Sequence, residues 1–136
     1  MGDLSPNFST KELACPHCGQ CVLDPALIPA LEELRTLAAG PVVVDSGYRC
    51  PIYNAEAGGV SKSQHMQGMA ADVKIPGKTL QEMYNLAEAV PAFRMGGIGV
   101  YDGGFIHVDT RDAKTRWARV KGNYISIGAS GLLTHW

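Results

Sequence analysis

A chain of 136 residues with 46% hydrophobic and 18% charged side chains can bury one sizeable core and is too apolar for a disordered segment. Its formal net charge of −1 supplies no pull toward nucleic acid or an anionic membrane surface. The longest apolar runs, such as Val42-Val43-Val44, are far too short to insert in a membrane.

The opening Met1-Gly2-Asp3-Leu4-Ser5-Pro6 has no basic segment leading into an apolar stretch, so no secretory signal is expected and the chain reads as cytoplasmic when synthesised. No repeat, low-complexity tract or linker divides it. Residues 1–136 are therefore read as a single domain, expected to be a monomer.

Ser9-Thr10-Lys11-Glu12 has the form of a capping box and predicts a short helix, soon ended by Cys15-Pro16. Asp24-Pro25 reads as a cap with proline in the first turn. Leu27, Leu31, Leu34 and Ala38 then recur at helical steps until Gly40-Pro41 closes the pattern. Pro29 argues for a start later than Asp24. Val42 to Ser46 is short and β-branched, hence a strand. Residues 49–62, rich in Gly, Asn, Pro and Ser, predict a loop with a brief helix. Ala70 to Ile75 reads as a strand that stops at Pro76-Gly77. Thr79-Leu80-Gln81-Glu82 is a second capping box, opening a helix with Leu80, Met83, Tyr84 and Ala87 on one face. Residues 97–101 and 105–109 flank Asp102-Gly103, which predicts a tight hairpin, and a last strand is expected through Tyr124 to Ile127. The sum is an α+β domain, a small and mainly antiparallel sheet with helices packed on one side.

The chemistry concentrates in Ser63-Gln64-His65-Met66-Gln67-Gly68-Met69-Ala70-Ala71-Asp72. Along one extended strand, His65 and Asp72 would lie roughly 23 Å apart. They can meet at one ion only if the chain turns between them, and Gly68 supplies the permissive backbone. His107, on the second strand of the hairpin, offers a third donor. Two imidazoles and one carboxylate would leave a fourth tetrahedral position for water, as catalytic zinc sites do. The spacing alone also fits an ordinary structural histidine.

The whole pattern resembles the M15 family of metallopeptidases. Ser63-x-His65-x-x-Gly68-x-Ala70-x-Asp72 is followed by Phe105-Ile106-His107-Val108-Asp109. The likeness extends to Ser5-Pro6-Asn7-Phe8 with Glu12-Leu13, to Ser46-Gly47-Tyr48-Arg49, and to Asn54 with Gly58-Gly59. Gly97 to Tyr101 leads into the second ligand motif, and His107 to Arg111 with Arg116-Trp117 resembles the phage and prophage branch. The resemblance implies a D-Ala-D-Ala carboxypeptidase or endolysin-peptidase type of enzyme with a hedgehog- or lysostaphin-like fold. It makes His65, Asp72 and His107 the ligands of a catalytic Zn2+ and peptidoglycan stem peptide the substrate. Arg49 would then hold a substrate carboxylate or polarise the scissile carbonyl, for which a charged planar fork of donors is suited. Ser63 and Gln64 would line the substrate groove, and Tyr48 either joins them or belongs to the core. Release by a phage-type route, or carriage on a virion, would bring the enzyme to the cell wall.

The chain departs from the family at the general base. Many relatives have an acidic residue three positions before the last ligand, or a histidine two before it; here Gly104 and Phe105 occupy those places. Asp109 shares a strand face with His107 and is the expected catalytic acid-base, with orientation of His107 as its other role. Asp102 reads more simply as a turn former. The departure gives weight to a different class of protein, a non-catalytic zinc-containing module that binds cell wall or belongs to a phage tail.

Cys15, Cys18 and Cys21, with Cys50 after Arg49, have spacings compatible with a second, structural zinc site, with His17 as a substitute ligand. Buried thiols or a disulfide formed in an oxidising space are the alternatives. Met66 and Met69 read as core filler. The run Arg111, Lys114, Arg116, Arg119 and Lys121 reads as a solvated face, with acidic glycan or phosphate as its other reading. Gly96-Gly97-x-Gly99 lacks the strand-to-helix context of a phosphate loop and is set aside as one.

Overall fold

The structure, a computed structural model, describes residues 4–15, 19, 21, 23–48, 68–121 and 123–126. Its elements in chain order are α1 (Thr10–Leu13), α2 (Leu27–Ala38), β1 (Val43–Ser46), β2 (Ala70–Lys74), α3 (Leu80–Glu88), α4 (Pro91–Arg94), β3 (Gly97–Tyr101), β4 (Phe105–Asp109), β5 (Thr115–Val120) and β6 (Asn123–Ser126). The strands form one six-stranded sheet in the order β1-β2-β4-β3-β5-β6. Every neighbouring pair is antiparallel except β3–β5, which is parallel. The mainly antiparallel α+β architecture expected from the sequence is what the chain adopts.

Both capping boxes form. Glu12 reaches back to the Ser9 amide at 2.9 Å, and Glu82 and Thr79 satisfy one another's amides at 2.8 and 3.1 Å. These contacts occupy backbone donors that the first helical turn leaves without partners. Helix α2 begins at Leu27, not Asp24. The Asp24 carboxylate accepts instead from the Ala26 amide at 2.9 Å. Pro29 then falls within the first turn, where its missing N–H costs no hydrogen bond.

Alternation along the strands separates two faces. Val73, Ile98, Val100, Ile106, Val108 and Ala118 share one core with Leu27, Leu31, Leu34, Tyr84 and Phe93 from the helices. Burying such side chains stabilises by about 1.5–3 kcal/mol each, so this face holds the helices to the sheet. The intervening residues, Asp72, Gly97, Gly99, His107, Asp109 and Trp117, line the other face.

Two features differ from the sequence expectations. The hairpin between β3 and β4 is closed by residues 102–104, with the Gly104 amide bonded to the Tyr101 carbonyl at 3.0 Å. Gly104, not Gly103, takes the left-handed backbone, φ +93°, as the last position of a three-residue loop requires. Strand β5 and helix α4 were not expected. The basic run is a solvated face only in part: Lys114 and Lys121 are exposed, whereas Arg116 is buried on β5, with Ala118 in the core, and Arg111 lies in the loop that leads to it.

Candidate active site

The register of β2 against β4 builds the centre of the site. Asp72 is the cross-strand partner of His107, and Ala70 that of Asp109. Directly opposed residues have Cβ atoms only about 5 Å apart, so a short carboxylate and an imidazole meet there with little freedom. The Asp72 Oδ1 lies 3.1 Å from the His107 Nδ1. Ahead of β2, Gly68 takes φ +70°, the turn conformation for which glycine is suited. Its carbonyl accepts from the Asp24 amide at 2.9 Å.

The other imidazole nitrogen faces a second carboxylate, with Asp109 Oδ2 2.7 Å from His107 Nε2. Asp109 is completely buried. It accepts from the Gly97 amide at 2.8 Å and from the Arg111 amide at 3.1 Å. The Arg111 guanidinium grips it as a fork, Nε at 2.9 and 3.0 Å and Nη2 at 2.7 Å. Burial by itself would raise the Asp109 pKa; the hydrogen bond from His107 and then that from Arg111 override it and hold the group well below the carboxylate range. Burial likewise disfavours the His107 imidazolium, but the bonds to Asp109 and Asp72 prevail and raise its pKa above the ordinary value.

Trp117 covers this arrangement. Its ring lies 5.0 Å from that of His107, tilted by 50°, and its Nε1 donates to the Tyr101 hydroxyl at 3.0 Å. The Arg111 guanidinium sits 5.2 Å from the indole centroid, within cation–π range. Two glycines on β3 make room. A Cβ on Gly99 would lie 2.4 Å from the Trp117 ring, and one on Gly97 would lie 2.3 Å from Asp109 Oδ2. Sequence reading did not place Arg111, Trp117, Gly97 and Gly99 at this candidate site. A glycine pair inside a strand, which often marks close approach by another group, was the available signal.

Of the residues expected to form the site, Asp72, His107 and Asp109 come together here. Tyr48 is buried and packs with Cys15 in a small separate cluster, its amide bonded to the Leu13 carbonyl at 2.8 Å. Asp102 is committed to the β5–β6 turn, accepting from the Lys121 amide at 2.8 Å. Arg49, Ser63, Gln64 and His65 lie outside the described residues, as do Cys18 and Cys50; Cys15 is buried and Cys21 half-buried. Among the described residues alone, no three His, Cys, Asp or Glu side chains form a metal-holding group. The Asp72–His107 pair nevertheless fits two vertices of one. Donors on a tetrahedral zinc stand about 3.3 Å apart given ordinary Zn–N and Zn–O lengths, against 3.1 Å between these atoms. A metal-binding imidazole also commonly donates its other N–H to a carboxylate, the place Asp109 takes.

The profile of the peptidase M15 family matches residues 6–109. The chain belongs to that family. It is 35% identical over 102 residues to a Haemophilus influenzae protein named as the probable peptidoglycan L,D-endopeptidase MepK, an alignment covering 68% of this chain and 53% of that protein. The chain thus spans about half the length of the curated relative it matches. Among the described residues, no helix is long and apolar enough to cross a membrane.

Proposed function

We propose that the chain is a zinc-dependent peptidase acting on peptidoglycan stem peptides, at bonds involving D-amino acids. The observation that carries this reading is the pairing of Asp72 with the His107 Nδ1 across β2 and β4, in a chain of the M15 family. His65 is the third ligand in this proposal, seven positions ahead of Asp72 beyond the Gly68 turn. A bound zinc would supply a Lewis acid and an acidified water. Arg49 would bind a substrate carboxylate or carbonyl, and Ser63 and Gln64 would line the groove. Tyr48, being buried, would support the segment that carries Arg49.

The geometry alters the role proposed for Asp109. A general base needs a pKa near the working pH and reach to the proton it takes. The Asp109 carboxylate is fully buried, held well below the carboxylate range and already shared among Gly97, Arg111 and His107. It orients the His107 ring. Asp102 is occupied in its turn, and in this proposal neither acidic candidate is assigned as the base. That observation favours a second reading, a zinc-containing module that binds cell-wall peptide or belongs to a phage tail without cutting.

Incubating the protein with muropeptides, with and without chelator, separates the two. Chelator-sensitive release of fragments, restored by zinc, supports the peptidase; binding without product supports the module. The released fragments identify a carboxypeptidase or an endopeptidase. Metal analysis of the same sample tests the second site proposed for Cys15, Cys18, Cys21 and Cys50: two zinc ions per chain are expected if it forms, one if it does not.

A further inference from the structure

We propose that Arg111 is a positioning residue for His107, acting through Asp109 to present the Nδ1 atom to the cation. The proposal rests on the metal-site reading above.

Three observations carry it. Arg111 folds back over its own strand, engaging Asp109 through its amide and both arms of its fork at 2.7 to 3.1 Å. Asp109 has no solvent access, so water cannot replace that fork as a partner for its charge. Finally, the guanidinium is held from outside by the Trp117 ring, and a Gly97 side chain would collide with both Asp109 and the Arg111 Nε. The strand is built around the pair.

The consequence lies in the imidazole. A neutral histidine has one N–H, and two carboxylates here compete for it. Asp109 stands closer, 2.7 Å from Nε2 against 3.1 Å between Asp72 and Nδ1. With Asp109 fixed by the fork, the proton is directed to Nε2 and the Nδ1 lone pair is left beside Asp72. Without the fork, the carboxylate loses two of its donors and can turn away from Nε2. The ring is then free to carry its proton on Nδ1, where a cation cannot bind. A lysine at position 111 could supply charge but no planar fork.

The test compares the wild-type chain with Arg111→Gln and Arg111→Lys. Zinc affinity is measured by competition with a chromophoric chelator, and ring nitrogen NMR reads the neutral His107 tautomer in metal-free protein, at a pH high enough to deprotonate the imidazolium that the two carboxylates favour. The expectation is an Nε2–H tautomer in the wild type and a loss of about 10- to 100-fold in zinc affinity in Arg111→Gln, the usual range for residues that orient a ligand. Arg111→Lys should fall between the two, with near-native circular dichroism. Wild-type affinity in Arg111→Gln would overturn the proposal, as would an Nδ1–H tautomer in the wild type. If Arg111→Gln does not fold, Arg111→Lys and the wild-type spectrum decide. A wild-type protein that binds no zinc would sink the metal-site reading, while the tautomer would still report separately on Arg111.

Discussion

Two arginines five positions apart, Arg111 and Arg116, each grip a carboxylate with a bidentate fork, and they do so on opposite faces of the same sheet. Arg111 holds Asp109 beneath the His107 ring. Arg116 holds Glu88 on α3 at 3.1 and 2.7 Å and also donates to the carbonyls of Arg94 and Gly96, each at 2.7 Å. Glu88 in turn accepts from the Tyr84 hydroxyl at 2.5 Å. The chemistry of the two forks is alike, but what lies beyond the carboxylate differs. Arg116 ties α3, the end of α4 and the start of β3 to β5, so its work is architectural. Arg111 ends on an imidazole that touches a second carboxylate, so the work proposed for it is to orient a donor atom. Identical residue types therefore predict different losses when removed.

The largest expected effect comes from the centre of the polar face. His107→Ala should abolish zinc retention after dialysis and reduce muropeptide turnover to the blank. The core lies on the opposite side of the sheet, so the helical circular dichroism should be retained. Zinc retained at the wild-type level would break the contrast between the faces.

Next comes Arg116→Met. Breaking a buried ion pair by removing one partner costs about 3–5 kcal/mol. Glu88 is partly exposed, 23% against 4% for the Arg116 side chain, so it can rehydrate and the lower end, about 3 kcal/mol, is expected. Urea unfolding measures it. Zinc affinity of the folded fraction should not change, the opposite of the Arg111→Gln result.

Gly99→Ala should cost about 1–3 kcal/mol through overpacking, because the added methyl would meet the Trp117 ring. Displacement of the indole should appear as a change in its fluorescence. An unchanged emission spectrum together with unchanged stability would show that Trp117 does not need this bare patch of strand.

The smallest effect is a pH dependence. The hydrogen bond from Arg116 dominates the Glu88 carboxyl and lowers its pKa below the ordinary 4.5. A carboxyl with a lowered folded-state pKa contributes stability above its unfolded value and loses it as pH falls through the folded value. Wild-type stability should therefore decline more steeply than that of Arg116→Met as pH falls below about 4.5. Parallel curves in urea titrations at several pH values would remove Glu88 from the account.

Much of the helical layer was legible because its signals are local. Capping boxes at Ser9 and Thr79, and the recurrence of Leu27, Leu31, Leu34 and Ala38, need only neighbouring residues to be interpreted. The hairpin was legible for the same reason, though the turn settled on Gly104. Charge in the basic run marks solvent exposure at Lys114 and Lys121 but not at Arg116, where strand alternation prevails. Arg116 and Ala118 point to the core, and Trp117 points to the site between them. Arg116 is buried through partners, Glu88 and the carbonyls of Arg94 and Gly96, that lie 20 or more positions away.

From sequence alone came the α+β class, most element positions, the family resemblance and the choice of Asp72 and His107 as donors. Tertiary structure decided how they meet. The β2–β4 register opposes Asp72 to His107, and a slip of one residue would have put one of them on the helix side. The parallel pairing of β3 with β5 carries residues 110–114 past the start of β3, folding Arg111 onto Asp109 and laying Trp117 on Gly99. Such pairings are stabilised by contacts between segments distant in the chain, which no local window of residues contains.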